Sequence, residues 1–317
     1  MRLIITGSSG QIGTNLALRC LALGHAVLGI DCRPNPWTAS VPTIIADLRQ
    51  SCPISLLCTG ASSMGKTWNA ADVVVHLAAH AKVHDLVETP RRALENVQMT
   101  QHVLDLCRSL QSPIVFASSR EIYGDVVRAV SHETEARLDH AASPYAASKI
   151  AGEALAKAYS RCYGVPHLVL RLSNVYGRCD DDVERLPRVI PLFMRQIRNG
   201  KPVTVFGADK ILDFTFIDDC IEGVILGIER LRSGDTHNET INLAYGKGRS
   251  LLEVAAIIGR ELDRRPSITV LPKRRGEITR YVASLDKARA LLGFEPKVSL
   301  EEGIRRAIAW QQARVYA

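Results

Sequence analysis

Tyr145 and Lys149 stand four residues apart in the stretch SPYAASK. On a helix that spacing places both side chains on one face. An ammonium beside a phenol stabilises the phenolate and draws the phenol's pKa down from about 10 toward the working range. The phenolate can then act as a general base on a hydroxyl. Y-x-x-x-K also arises by chance on helices, so the pair needs a context. Part of it is local, because Ser143 and Pro144 suit a helix start.

A second constellation is TGSSGQIG, with Gly7, Gly10 and Gly13 spaced G-x-x-G-x-x-G between an apolar run and a helical stretch. Glycines here permit a tight turn and let a pyrophosphate approach a helix N-terminus, where free amides favour negative charge. The next apolar run ends at Asp31, where a carboxylate would bond the adenosine ribose hydroxyls and reject a 2′-phosphate. That reading favours NAD over NADP, although Arg33 could accommodate the phosphate, and Asp31 also suits a plain turn.

A third stretch, GASSMGKT at 60–67, fits the phosphate-binding pattern G-x-x-x-x-G-K-[ST]. Such a loop needs a helix directly after it. Only WNAAD separates Thr67 from the next strand-like run, so the context removes the triphosphate chemistry.

The elements that must hold these groups are legible as alternation. LIIT (3–6), HAVLGI (25–30), PTIIA (42–46), VVVHLA (73–78), PIVFAS (113–118) and HLVLRL (167–172) read as buried strands. Helical stretches lie between them, among them GTNLALRCLALG, which stops at Gly24, and the segment holding Val97, Val103, Leu104, Cys107 and Leu110. This order predicts an α/β fold, a doubly wound parallel Rossmann-type sheet over residues 1–175. From 176 to 317 the pattern breaks into Pro-punctuated, charged segments and short strands (PVTVF, ITVL), ending in a helix. We expect a smaller C-terminal substrate-binding lobe there, with segments near 204–230 returning to the first domain.

The 317 residues are 46% hydrophobic and 23% charged, ordinary for a globular protein. No apolar run approaches the length of a membrane helix, and MRLIITG lacks the form of a signal peptide, so no membrane association and a cytoplasmic location are expected. The eight cysteines contain no C-x-x-C pair, which argues against a metal site. A net charge of +7 suits an anionic ligand, but the cations are dispersed, and nucleic acid is not expected as a partner.

Taken together, the motifs resemble the extended short-chain dehydrogenase/reductases, in particular the nucleoside-diphosphate-sugar epimerases and dehydratases. The likeness runs through TGSSGQIG, Asp31, ADL at Asp47, HLAA at 76–79, Asn96, SSREIYG at 118–124, SPYAASK, RLSNVYG at 171–177, DFTFIDD at 213–219 and LGFEPKVSLEEGI. The resemblance implies NAD as cofactor, held by Gly7, Ser9, Gly10, Gln11, Ile12, Gly13, Asp31, Asp47, Leu48, Leu77, Ala78, Ala79 and Asn96, with Tyr145 and Lys149. Asp47 and Leu48 would flank the adenine, and Lys149 would grip the nicotinamide ribose.

It further implies a UDP- or dTDP-sugar substrate touched by Ser119, Asn174, Arg188, Val205, Arg274 and Glu277. Ser119 would hydrogen-bond the reacting hydroxyl and Tyr145 would serve as base. Without that pattern, Ser119 reads as a strand-end hydroxyl, Asn174 as a turn cap and Arg274 as a surface charge. A homodimer is implied too, through residues 95–110 and 145–161.

Two departures matter. Where similar 4,6-dehydratases have T-D-E-x-Y and decarboxylases T-S-E-x-Y, this chain has S-R-E-I-Y. Arg120 cannot donate a proton near neutral pH, which disfavours 4,6-elimination. Glu121 keeps a different elimination or a decarboxylation open, unless it simply pairs with Arg120. Leu212 stands where the family usually carries a phosphate-binding arginine, and Arg178, Arg188 or Arg275 would have to substitute. The first reading is an NAD-dependent epimerase acting at C4 through a 4-keto sugar, with Ser119, Tyr145, Lys149 and Glu121 as catalytic candidates. A dehydratase or decarboxylase using Glu121 is the alternative. A non-catalytic NAD-binding protein is the third reading, opposed by the intact Ser119–Tyr145–Lys149 set.

Overall fold

The apolar runs become parallel strands in the computed structural model, which describes residues 1–50, 57 and 68–315. The strands are β1 (Arg2–Thr6), β2 (Ala26–Asp31), β3 (Thr43–Ile45), β4 (Val73–His76), β5 (Ile114–Ser119), β6 (His167–Leu172), β7 (Asn174–Tyr176), β8 (Val203–Phe206), β9 (Ile211–Phe216), β10 (Glu239–Leu243), β11 (Gly248–Ser250), β12 (Ile268–Leu271) and β13 (Arg280–Tyr281). The helices are α1 (Gln11–Ala22), α2 (Val83–Glu88), α3 (Arg91–Leu110), α4 (Pro144–Tyr163), α5 (Val189–Arg198), α6 (Ile217–Ser233), α7 (Leu251–Glu261), α8 (Asp286–Leu292) and α9 (Leu300–Val315). The 60–67 stretch lies outside the described residues.

Seven strands form one sheet in the order β10-β6-β5-β4-β1-β2-β3, every pairing parallel. The chain winds outward from β1 to β3, then crosses back to β4 on the other side of β1. That reversal opens a crevice at the carboxyl ends of β1 and β4, where open α/β sheets bind ligands. Period-2 alternation splits the strands between two cores. Leu3 and Ile5 face a core shared with Leu16 and Val224, while Ile4 faces one shared with Val103, Leu104 and Ala156. Helices α1 and α6 therefore cover one face, and α3 and α4 the other.

The C-terminal lobe is built on β9, which pairs with β7, β11 and β13, and on the two-stranded β8–β12 ribbon. Its core is continuous with one face of the main sheet: the cluster holding Leu3 and Ile5 also holds Phe214, Phe216, Leu251 and Ile258. Of the segments near 204–230, α6 returns to the main sheet and packs against α1, while β8 stays in the lobe with β12. Further on, β10 at 239–243 becomes the sheet's edge strand beside β6. The short, half-polar run ETINL carried too weak an apolar signal to stand out.

Among the described residues no helix is long and apolar enough to cross a membrane, and no group of three or more His, Cys, Asp or Glu is placed to hold a metal ion.

Candidate active site

The loop after β1 is set by contacts that leave no room for larger residues. Gly7 has φ +73°, and a Cβ there would lie 2.7 Å from the Ala78 backbone nitrogen. A Cβ on Gly13 would lie 2.2 Å from the Gly7 carbonyl oxygen. The loop thus presses on both β4 and α1. Helix α1 begins at Gly10 without a side-chain cap and with no acidic residue in its first turn. Its leading N–H groups and dipole face the crevice, which favours an anion. Asp31 organises the loop from β2, its carboxylate accepting from the Ser9 nitrogen at 2.9 Å and the Arg33 nitrogen at 3.2 Å. Arg33 folds back, donating to the Ser9 carbonyl at 2.7 Å. These are the parts a dinucleotide requires: a glycine cradle, an uncapped helix start and a carboxylate at the end of β2.

Thr6, His76 and Thr100 brace the cradle from beneath. The Thr6 hydroxyl lies 2.7 Å from His76 Nδ1, and Thr100 lies 3.2 Å from His76 Nε2. Burial pushes His76 down to about 3, so the ring is neutral. Leu77 and Ala78 follow, both nitrogens donating to Thr6, and Ala79 continues the segment.

Several expected cofactor residues are also engaged within the protein. Asp47 is held by a two-pronged bond from Arg49, at 2.9 and 2.6 Å, which lowers its pKa. The Leu48 side chain is buried in the α3–α4 core and its carbonyl accepts from His102 at 2.7 Å. Asn96 is consumed internally. It accepts from the His80 nitrogen at 2.7 Å and donates to the His80 carbonyl and the Ser148 hydroxyl, both at 3.1 Å. Ser148 donates in turn to the Tyr145 carbonyl at 2.7 Å. Asn96 therefore ties the segment after β4 to the helix that carries Tyr145.

Helix α4 starts where the sequence predicts. The Ser143 hydroxyl accepts from the Ala146 nitrogen at 3.2 Å, and Pro144 occupies the first turn. One turn beyond the Tyr–Lys pair, Gly152 lets the helix lie on β5, since a Cβ there would meet the Phe116 ring at 2.4 Å. A buried pair locks the same region: Arg171 on β6 reaches Glu153 at 3.0 and 2.8 Å, and Ser118 donates to Glu153 at 2.5 Å. Removing one partner of such a pair costs about 3–5 kcal/mol.

Held this way, Tyr145 and Lys149 lie together at the end of β5. Ser119 stands near the Tyr145 phenol and favours its ionised form, and its hydroxyl accepts from the Glu121 nitrogen at 3.2 Å. Lys149 Nζ donates to the Ala117 carbonyl at 2.8 Å and sits 5.9 Å from the Tyr145 ring centroid. The expected lowering of the phenol is not what the protein alone shows. Burial dominates and pushes Tyr145 up to about 12, with Ser119, Arg120 and Arg188 opposing and Glu121 adding to the rise. Burial also brings Lys149 down to about 8, against Glu153. Both shifts have one cause: neither charge is hydrated here.

Glu121 pairs with Arg120 at 2.9 Å, the plain alternative foreseen for it. Its Oε2 and the Arg120 Nη1 are nonetheless buried without hydrogen-bond partners. Burial raises the Glu121 pKa; Arg120 opposes this and Glu277 reinforces it.

The lobe supplies the remaining candidates. Glu277 is ion-paired to buried Lys210. Arg274 lies over the Phe206 ring at 3.8 Å and has no carboxylate at ion-pair distance among the described residues. Gly276, between them, packs beside Val87 and Ser143, so this loop borders the start of α4. The Val205 side chain is fully buried, leaving only its backbone for a ligand. Asn174 donates to the Asp213 carbonyl at 2.9 Å. Asp213 is buried and accepts from the nitrogens of Tyr245, Gly246 and Ala283 at 2.9–3.2 Å, while burial raises it to about 6. Leu212 is buried in the core. Of the cations expected to replace an arginine there, Arg178 pairs with Asp218 at 2.5 Å. Arg188 points instead to Gln11 at the start of α1 and to Asp180 at 2.7 Å.

Sequence reasoning missed Thr6, His76, Glu153, Arg171 and Lys210. Thr6, His76 and Arg171 stand in the quoted stretches TGSSGQIG, HLAA and RLSNVYG, and Glu153 stands four residues after Lys149. Their partners come from neighbouring strands and helices, and Lys210 from the lobe, which spacing along the chain does not reveal.

Residues 3–244 match the model of the NAD dependent epimerase/dehydratase family. YtcB of Bacillus subtilis (strain 168), an uncharacterised UDP-glucose epimerase, is 30% identical, over 98% of this chain and 98% of its own length. A probable UDP-glucuronate 4-epimerase of Rhizobium meliloti (strain 1021) is 27% identical, over 98% of this chain and 96% of that one. Among solved structures, the UDP-glucose 4-epimerase of Thermotoga maritima with UDP-glucose superposes with a TM-score of 0.88 at 25% identity, covering 99% of this chain and 100% of that one. The UDP-glucuronic acid 4-epimerase of Bacillus cereus in complex with UDP-glucuronic acid and NAD does so at 0.84 and 26%, with the same coverage.

Proposed function

The chain belongs to the NAD-dependent epimerase/dehydratase family, and from that premise we propose that it inverts C4 of a UDP-linked hexose or hexuronate. The observation that carries the reading is the packing of Ser119, Tyr145 and Lys149 at the end of β5, on a helix pinned through Ser148 and Asn96 to the wall of the glycine cradle. Named relatives and structural neighbours acting on UDP-sugars support the substrate class.

Bound NAD supplies a hydride acceptor, and later donor, together with a further positive charge. Ser119 orients the C4 hydroxyl, and Tyr145 takes its proton as the C4 hydrogen departs as hydride, leaving a 4-keto sugar. Tyr145 returns the proton to the oxygen once the hydride re-enters from the other face. Tyr145 starts at about 12, so the positive charges around it set how readily the phenolate forms. Arg120 and Arg188 supply such charge, and Lys149, 5.9 Å from the ring centroid, remains charged below about pH 8. Asp31, the Gly7–Gly13 cradle and the first amides of α1 bind and orient the cofactor.

On the lobe side, Arg274 meets the substrate diphosphate and Glu277 its ribose. A dTDP-sugar remains the alternative nucleotide. Glu121, buried with one oxygen unpartnered, favours elimination or decarboxylation as the second reading. We also read α3 and α4 as a homodimer surface, where Leu94 is 72% exposed. Sedimentation of the wild type as a dimer, and of Leu94→Glu as a monomer, is the expected outcome. Incubating the enzyme with UDP-galactose, UDP-glucose and UDP-glucuronate separates the readings: C4 epimers without net NADH support the first, while dehydrated or decarboxylated products replace it with the second.

A further inference from the structure

The segment between β7 and α5, RCDDDVERLPR at 178–188, is not used by the chemistry above, yet it is fastened to the cofactor cradle at every turn. The Arg178 carbonyl accepts from Asn15 on α1 at 3.3 Å. Asp181 accepts from the Trp37 indole at 2.7 Å, and Asp182 lies 3.7 Å from Arg33. Asp180 is buried and holds Arg188 at 2.7 Å. The same Arg188 nitrogen donates to the Gln11 side-chain oxygen, in the first turn of α1. Three consecutive aspartates therefore each hold a different anchor, and together they carry Arg188 to the phosphate end of the cradle.

The cluster is incomplete. Gln11 is 3% exposed and its Nε2 has no hydrogen-bond partner; the second oxygen of Asp180 has none either. A buried amide donor without an acceptor costs about 1–3 kcal/mol. Here it stands with a guanidinium and a set of uncapped helix amides, so the missing partner is an acceptor of negative charge. Arg188 is 32% exposed along its side chain, so it keeps donors in hand beyond the two bonds it makes.

We propose that Arg188, carried by the 178–188 strap, and Gln11 bind the pyrophosphate of the dinucleotide, so that Arg188 is a cofactor residue and not the substitute for the arginine missing at Leu212. The strap then closes the cradle over its ligand, which suits a cofactor that is reduced and reoxidised within each turnover and never needs to leave. The inference rests on the cofactor and is independent of the C4 chemistry.

Calorimetric titration of NAD, ADP-ribose, adenosine and UDP into the cofactor-stripped full chain and into Arg188→Met tests it. NAD and ADP-ribose should weaken about tenfold or more, with adenosine and UDP within about twofold. Arg188→Lys should recover much of the ADP-ribose affinity, because it restores the charge without the fork. If UDP weakens and ADP-ribose does not, Arg188 belongs to the substrate. If all four ligands weaken together and lysine restores none of them, its role is structural. Either result overturns the proposal. Should Arg188→Met fail to fold, Gln11→Leu in the same titrations decides: unchanged ADP-ribose binding contradicts it.

Discussion

The cofactor side of the cleft is made of backbone and small residues, whereas the lobe side is made of charged side chains already joined to one another. Around the cradle the decisive features are two glycines with no room for a Cβ, a helix without a cap and one carboxylate. On the lobe side Lys210 holds Glu277 and Lys273 reaches across to Asp125, while Arg120 holds Glu121 just beyond β5. A backbone cradle accepts any ligand with the right phosphates, while a mesh of ion pairs discriminates through the pairs a ligand must break or complete. Recognition of the constant partner thus rests chiefly on shape, to which Asp31 and the proposed Arg188 contact add charge, and recognition of the variable one rests on charge.

The largest expected effect lies where the two sides meet. Tyr145→Phe should lower kcat by about 10²–10⁴-fold, the range of general acid–base contributions, while NAD content measured after denaturation stays at the wild-type level. Next, Gly13→Ala forces a Cβ onto the Gly7 carbonyl. It should cost about 1–3 kcal/mol of stability and abolish NAD retention, which thermal melts and released-cofactor assays would show. If it did neither, the claim that shape governs the cofactor side would fail.

The first test specific to the lobe side is smaller. Arg274→Ala removes the guanidinium that lies on Phe206 without a carboxylate partner. A charged hydrogen bond of about 1.5–3 kcal/mol corresponds to UDP affinity lowered about 10–100-fold, with NAD affinity unchanged in parallel titrations. Smallest is Glu121→Gln. Glu121 helps to hold the proton on Tyr145, so removing its charge favours the phenolate. The rising limb of the pH profile of kcat should move to lower pH by less than about one unit. Turnover to a dehydrated or decarboxylated product that disappears in this variant would instead assign Glu121 to the chemistry.

The same contrast explains how much could be read in advance. Gly7, Gly10, Gly13 and Asp31 are legible because backbone geometry demands particular residues at fixed offsets. The strand His167–Leu172 and the start of α4 at Ser143–Pro144 fall where alternation and capping put them. The lobe was legible mainly as a break in pattern, with PVTVF and ITVL standing out as strands, because its strands are two to six residues long and draw partners from distant segments, as β9 does from β7, β11 and β13. Asp47 and Asn96 illustrate the limit within the cofactor half. Their positions were foreseeable, but not that Arg49 and Ser148 would take up their polar atoms. The phenol was misjudged for a related reason, since spacing shows which charge is near but not how little water is.

The central claim is that hydride leaves C4 and returns to it while Tyr145 carries the proton. The most direct measurement is nuclear magnetic resonance of UDP-galactose deuterated at C4, incubated with the wild-type holoenzyme in ordinary water. UDP-glucose with deuterium kept at C4 and no net NADH is the expected result, with UDP-glucose formation by Tyr145→Phe slowed about 10²–10⁴-fold. Loss of the label to solvent, accumulation of a dehydrated sugar, or full turnover by Tyr145→Phe would contradict it.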